Sequence, residues 1–202
     1  MNYLAVDTSS SHLGVLIKKD GNFYKFYKPD AQLTHSVELM PAVDGLLKAN
    51  GISLEEMDAF GAVVGAGSFT GIRIGIAAVK GFCDCLKKPA FTVTAFETLA
   101  YNIKTENKIL AVLDARHNHY YAAGFSGGEQ VLEPCFISSD QLKELSREYV
   151  IASSCALNGF DVEIADLQEG FVSACEKNCR NTISSDEIAP LYIRKSQAEE
   201  HR

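Results

Sequence analysis

Residues 65–75, GAGSFTGIRIG, place four glycines, Ser68 and Thr70 between an apolar run and a helix-forming stretch. Glycine at this density either lets backbone amides approach a phosphate or lets two chain segments pack closer than side chains permit. Spacing separates the two uses. A Walker loop requires G-x-x-x-x-G-K-[S/T], and no pair among Gly65, Gly67, Gly71 and Gly75 satisfies it. The dinucleotide fingerprint requires glycine where Thr70 stands and an acidic residue ending the next strand, which AFTVTA does not supply. What remains is an anion on the free amides of a helix start, or an N-cap by Ser68 or Thr70.

On the N-terminal side, YLAVD (3–7), HLGVLIK (12–18) and NFYKFYK (22–28) are short runs rich in β-branched and aromatic residues with turn sequences between them, a three-stranded meander. Apolar residues then recur at helical spacing from Leu33 to Asn50, and Gly51 is placed to stop that helix. Ser53 and Glu56 have capping-box spacing, AFGAVVG reads as a buried strand, and residues 71–87 as a second long helix ended by Pro89. AFTVTA (90–95) and FETLAYNI (96–103) add a strand and a short helix, so the order is βββαβαβα. From Lys108 onward, KILAVLDAR, HYYAAGFS and QVLEPCFIS open a second series of strands, followed by a helix at SDQLKELS and a strand at YVIASS. This second series repeats the theme but ends too early for a full copy. The expected fold class is α/β in two lobes, divided as 1–104 and 105–202.

The 202 residues are 47% hydrophobic and 22% charged with a net charge of −7, an ordinary globular composition without the basic field that would bind a phosphate backbone unaided. No run reaches the length of a membrane helix and the N-terminus lacks a basic leader, so the chain is read as cytoplasmic with no membrane contact. The six cysteines read as reduced thiols, and Cys175 and Cys179 alone have helical spacing, with no histidine or second cysteine pair to complete a metal site.

In the first helix, Leu33, Val37, Met40, Val43 and Leu47 form one stripe beside a second of Leu39, Ala42, Leu46 and Ala49. That arc is wider than one core-facing side requires, which points to a second buried face unless the helix is wholly enclosed in its own fold. In the second helix, Gly71/Gly75 and Ala77/Gly81 repeat small residues at a spacing that admits a neighbouring helix. Asp7, with Thr8 and Ser9 after it, stands where it can orient a magnesium ion or a water beside a phosphate, or simply close a turn. His35 opens the first helix, but its metal partner position one turn on is Leu39.

AVDTSS, THSVELMPAVDGLL, GAGSFTGIRIGIAAVKG, LDAR and the tail PLYIRKSQAE together resemble the TsaB (YeaZ) family, the subunit of the bacterial complex that installs threonylcarbamoyladenosine in tRNA. The resemblance implies a reduced actin-like/Hsp70-like ATPase (ribonuclease H-like) fold and a non-catalytic scaffold for the paralogous transferase TsaD. It implies no cofactor of its own, no metal and no catalytic residue. TsaD docks through the two N-lobe helices, TsaE is a further partner, a homodimer forms on the same face when the chain is alone, and tRNA is met only through the complex. Carried onto this sequence, the interface is Leu33, Val37, Met40, Gly71, Arg73, Ile74, Gly75 and Ala78, and Asp7, Thr8 and Ser9 are a vestigial nucleotide site. TsaD's H-x-x-x-H metal pair falls on His35 and Leu39, so the metal site is lost. His35, Asp114 and Arg116 stay open as functional residues. An enzyme of the same fold, a metallopeptidase or ATP hydrolase using Asp7, His35 and Asp114, is the alternative. One departure is Ala66, where the family carries proline between the two glycines.

Overall fold

A computed structural model of the chain describes residues 1–193; residues 194–202, which include part of the tail motif, lie outside the described residues. The first sheet is organised by β1 (Tyr3–Asp7), a strand buried along its whole length. It pairs antiparallel with β2 (Leu13–Lys19), which pairs antiparallel with β3 (Asn22–Lys28). On its other edge β1 runs parallel to β4 (Ala59–Val63), which runs parallel to β5 (Ala90–Val93), for a sheet order β3-β2-β1-β4-β5. The parallel pairs require crossover helices, supplied by α1 (His35–Asn50) and α2 (Phe69–Leu86). α1 packs on β2 and β3, α2 on β1, β4 and β5, and the two helices touch.

Local signals set these boundaries. Gly51 ends α1 in the left-handed region at φ 65°, its amide reaching the Leu47 and Lys48 carbonyls. Ser53 and Glu56 form the reciprocal capping box expected of them. Ser68 is the N-cap of α2, accepting from the Gly71 amide at 3.2 Å, so the helix starts two residues before the glycine taken as its start.

The second sheet has the order β10-β9-β6-β7-β8. β6 (Ile109–Asp114), β7 (His119–Ser126) and β8 (Glu129–Ser138) repeat the opening meander, and β9 (Val150–Ser153) and β10 (Glu163–Ile164) extend it in parallel beyond β6. Leu110, Val112, Tyr120, Ile137, Leu142 and Ile151 are central to its core. α3 (Ala95–Ala100), α4 (Ser139–Leu145) and α5 (Leu167–Asn178) complete the elements.

The chain forms two compact units, one of Met1–Ala95 with Ala174–Pro190 and one centred on Phe96–Ser173. The sequence reading divided it at 104/105; the changeover lies instead at Ala95, and the chain rejoins the first unit at Ala174. The return is held by Tyr3 Oη donating to Glu176 (2.9 Å), by an antiparallel bridge between Ala90 and Ile183, and by Ser185 Oγ donating to Asp84 (2.7 Å). α5 was missed because several of its buried positions carry small side chains: Ala174 and Cys175 are buried as Phe171 is, and Gly170 lies against the Thr98 carbonyl. Its signal was Asp166, whose Oδ1 accepts from the Gln168 and Glu169 amides.

Candidate functional site

α1 divides its apolar residues between two directions. His35, Leu39, Ala42, Val43 and Leu47 are buried against the sheet, while Leu33 just before the helix is 96% exposed, Val37 67% and Met40 48%. The expected stripe Leu33–Val37–Met40–Val43–Leu47 therefore splits after Met40: its first half faces outward and its second half belongs to the core. Pro41 and Gly45 continue the outward side as exposed residues.

α2 makes the same division. Ile72, Ile76, Val79, Phe82 and Cys83 are buried. Phe69, Thr70, Arg73, Ala77 and Gly81 are exposed and Ile74 and Ala78 half-buried. The Arg73 guanidinium lies 3.8 Å from the centroid of the Phe69 ring, a stacked cation on an exposed aromatic. A side chain added at Gly81 would meet nothing within 4 Å.

Gly71 and Gly75 require correction. Both are buried, and what they make room for is the end of β1. A Cβ on Gly71 would lie 2.0 Å from the Thr8 carbonyl oxygen, and one on Gly75 would lie 2.6 Å from Thr8 Oγ1. The small-residue face that stays outside is Ala77/Gly81. Gly67 is exposed but packs on the same turn: its φ of 153° and a Cβ position 2.0 Å from the Ser9 carbonyl oxygen exclude a side chain, and Ser9 O also accepts from the Ser68 amide at 2.6 Å. The glycine loop thus packs on the turn after β1.

That turn is closed inward. Asp7, Thr8 and Ser9 are 2%, 1% and 2% exposed. Asp7 Oδ1 accepts from the Ser9 amide (2.9 Å) and hydroxyl (2.7 Å), and Oδ2 lies 2.8 Å from His12 Nε2. Thr8 Oγ1 donates to the Gly71 carbonyl at 2.7 Å. Burial alone would raise the Asp7 carboxyl, but the His12 charge and the bonds from His12 and Ser9 outweigh it and hold Asp7 below the usual carboxylate range. Burial alone would lower His12, and the Asp7 charge and hydrogen bond outweigh that and raise it. His12 Nδ1 is 2.5 Å from Ser10 Oγ, and the ring stacks on Tyr27 at 5.2 Å. A charged His12 donates through both nitrogens, so Ser10 is an acceptor here. The residues read as a vestigial nucleotide site have their polar atoms engaged within the chain.

His12 was not singled out from sequence. The signal was available: a carboxylate ending a fully apolar strand needs a buried partner, and His12 returns the chain at the far side of the same turn. His35 is 2% exposed and donates Nε2–H to the His12 carbonyl oxygen at 2.8 Å; Leu39 is equally buried. Among the described residues no group of three or more His, Cys, Asp or Glu side chains is placed to hold a metal ion.

Comparison with known proteins bears on this arrangement. The family model described as TsaD: tRNA N6-adenosine threonylcarbamoyltransferase matches residues 29–197. The tRNA threonylcarbamoyladenosine biosynthesis protein TsaB of Haemophilus influenzae is 31% identical, over 96% of this chain and 83% of that protein. The chain belongs to the TsaB family. The TsaB of Escherichia coli is 26% identical over 98% of this chain and 96% of its own length. Among solved structures, YeaZ from Pseudomonas aeruginosa superposes with a TM-score of 0.73 at 22% identity, over 95% of this chain and 99% of that one. The fold is the actin-like, ribonuclease H-like ATPase fold.

Asp114 and Arg116 lie in the other unit, at the β6–β7 hairpin. Asp114 Oδ1 accepts from the Arg116 amide at 2.7 Å, and Arg116, His117 and Asn118 all have positive φ (67°, 52° and 58°). The motif LDAR in this TsaB-family chain therefore encodes a left-handed hairpin tip, with Asp114 as its internal acceptor. None of the described helices is long and apolar enough to cross a membrane.

Proposed function

We propose that this chain is a non-catalytic subunit in tRNA threonylcarbamoyladenosine biosynthesis that supports a TsaD-type transferase by docking through the outward faces of α1 and α2. The single observation that carries this reading is the split of α1, which leaves Leu33, Val37 and Met40 in water on a helix that touches α2, itself exposing Phe69, Ala77 and Gly81. Exposed apolar residues on one helix and exposed small residues on a helix that touches it are suited to receiving a partner helix. The relatives' names supply the pathway, and the match to the TsaD family model makes a TsaD-type transferase a paralogue of this chain, which suits pairing of like helices. Both oxygens of Asp7 and Nε2 of His35 are bound within the chain, which supports a scaffold over an enzyme built on those residues. TsaE as a further partner, a homodimer on the same face, tRNA met only through the complex and a cytoplasmic setting all belong to this proposal.

The test uses Val37→Glu and Ala77→Trp, which alter the outward face and leave the core untouched. Mixed with purified TsaD, each is expected to lose the complex on size exclusion while keeping the parent's circular dichroism and melting temperature. A complex eluting unchanged from both variants would overturn the docking face. Metal analysis and an ATP titration address the enzyme alternative, and a stoichiometric metal or tight ATP binding would decide for it.

A further inference from the structure

A cavity of about 440 Å³ opens in the second unit between the end of α4, the start of β9 and the segment leading into β10, and its wall carries Lys143, Tyr149, Phe160, Asp161 and Glu163. Three of these are charged and exposed. Among the described residues the side chains of Lys143, Asp161 and Glu163 form no hydrogen bond and no ion pair. Elsewhere on the surface lysines beside carboxylates close on them, Lys28 on Glu38 at 2.7 Å and Lys48 on Asp44 at 2.8 Å. Here a cation and two carboxylates share one concave space and stay apart, which leaves room between them for a molecule carrying both signs.

The apolar side of the cavity is fixed by the core. Tyr149 and Phe160 pack against the cluster around Leu110, Tyr120 and Ile151, and the Phe160 ring meets Tyr120 edge-on at 6.0 Å. The Tyr149 ring already takes one cation, Lys108, whose ammonium lies 5.5 Å from its centroid. Lys108 in turn lies 4.0 Å from Glu148, so that neighbouring pair is matched within itself. Asp161 and Glu163 stand on either side of Val162, which packs against the same core. Residues so spaced in extended chain share a face at about 7 Å. The two cations of a basic amino acid are separated by a comparable distance.

We infer that this cavity binds a free basic α-amino acid, of the class of arginine and lysine. Charge decides the class: one cation against two carboxylates leaves one negative charge over, which a ligand with two cations and one carboxylate balances and a neutral amino acid does not. The ligand carboxylate meets Lys143, its two cations meet Asp161 and Glu163, and its methylene stem lies along the rings of Tyr149 and Phe160. The inference does not depend on the docking proposal, because the outward faces of α1 and α2 belong to the other unit.

The probe is L-arginine, titrated into the ¹⁵N-labelled full chain at constant ionic strength and neutral pH. Saturable shifts are expected at the Ile151 and Gly159 amides, with a dissociation constant on the order of 1 mM, as suits exposed ion pairs. L-Citrulline, which keeps the shape and loses the side-chain charge, and agmatine, which loses the carboxylate, should each bind about fivefold more weakly. Lys143→Met is expected to reverse the preference for L-arginine over agmatine, since it removes the carboxylate's partner and a charge that repels the diamine. Asp161→Asn combined with Glu163→Gln should abolish both responses, and these exposed, unpaired positions should leave the melting temperature at the parent's value. Absence of saturable shifts in the parent, L-citrulline binding as tightly as L-arginine, or a preference for L-arginine over agmatine that survives Lys143→Met would each overturn the site.

Discussion

Thr8 and Gly71 hold one another in both directions: Thr8 Oγ1 donates a 2.7 Å hydrogen bond to the Gly71 carbonyl oxygen, and a Cβ on Gly71 would lie 2.0 Å from the Thr8 carbonyl oxygen. The second long helix is thereby pressed on the turn that ends the central strand.

Gly71→Ala is expected to lose about 3 kcal/mol, the upper end of typical overpacking, because the obstacle is backbone and cannot rotate away. Gly81→Ala on the same helix should gain about 0.5–1 kcal/mol, since its Cβ meets open space and the glycine's flexibility is removed. Urea midpoints of the two variants, moving in opposite directions, provide the check. Gly75→Leu would report on folding for the same reason, and so is unsuited to testing the docking face.

His12→Ala should destabilise the chain by about 3–5 kcal/mol, the range for a buried pair deprived of one partner. The Asp7 pKa is lowered on folding, so its contribution is present above its unfolded value of about 3.9 and lost as pH falls through the folded one. The His12 pKa is raised, so its contribution is complete below about 6.5 and lost as pH rises through the folded value. The gap between parent and variant is therefore expected to be widest between about pH 4 and 6.5. A gap that keeps growing into alkaline pH would contradict a charged His12.

The hairpin tip stores strain in side chains that prefer negative φ. His117→Gly is expected to gain about 1 kcal/mol by removing one left-handed residue with a Cβ. Asp114→Ala should lose about 1 kcal/mol by leaving the Arg116 amide without its 2.7 Å acceptor. Thermal melts of both, read against the parent, test the pair.

Thiol reactivity should follow burial. Cys85 and Cys155 are exposed and should react with Ellman's reagent within the mixing period, whereas Cys175 and Cys179 should wait for unfolding. Burial, aided by the Asp84 charge, pushes the Cys83 thiol up to about 11, so it too should lag at pH 8. Rapid labelling of all six would show that α5 opens readily.

Wherever a signal is local, it could be read from the chain. Gly51 ends α1 because only the left-handed region continues the path there, and Ser53 with Glu56 caps the next turn from four neighbouring residues. The outward placing of Leu33, Val37 and Met40 was legible as an arc too wide for one sheet, though the point where the stripe turns inward was not. α5 escaped because Ala174 and Cys175 offer little apolar contrast at the positions it buries.

Periodicity and capping thus determined the order of strands and helices and the presence of two apolar directions on α1, since both depend on residues within a few positions of each other. Only the tertiary structure decided what the glycines of residues 65–75 approach and what balances the buried Asp7. Contact between Gly71 and Thr8 spans 63 residues of chain, and a backbone approach of that range leaves no pattern in composition. The carboxylate announced that it needed a partner, but Thr8, Ser9, Ser10, Ser11 and His12 all stand in the turn after it, and the fold selected His12 for its second oxygen.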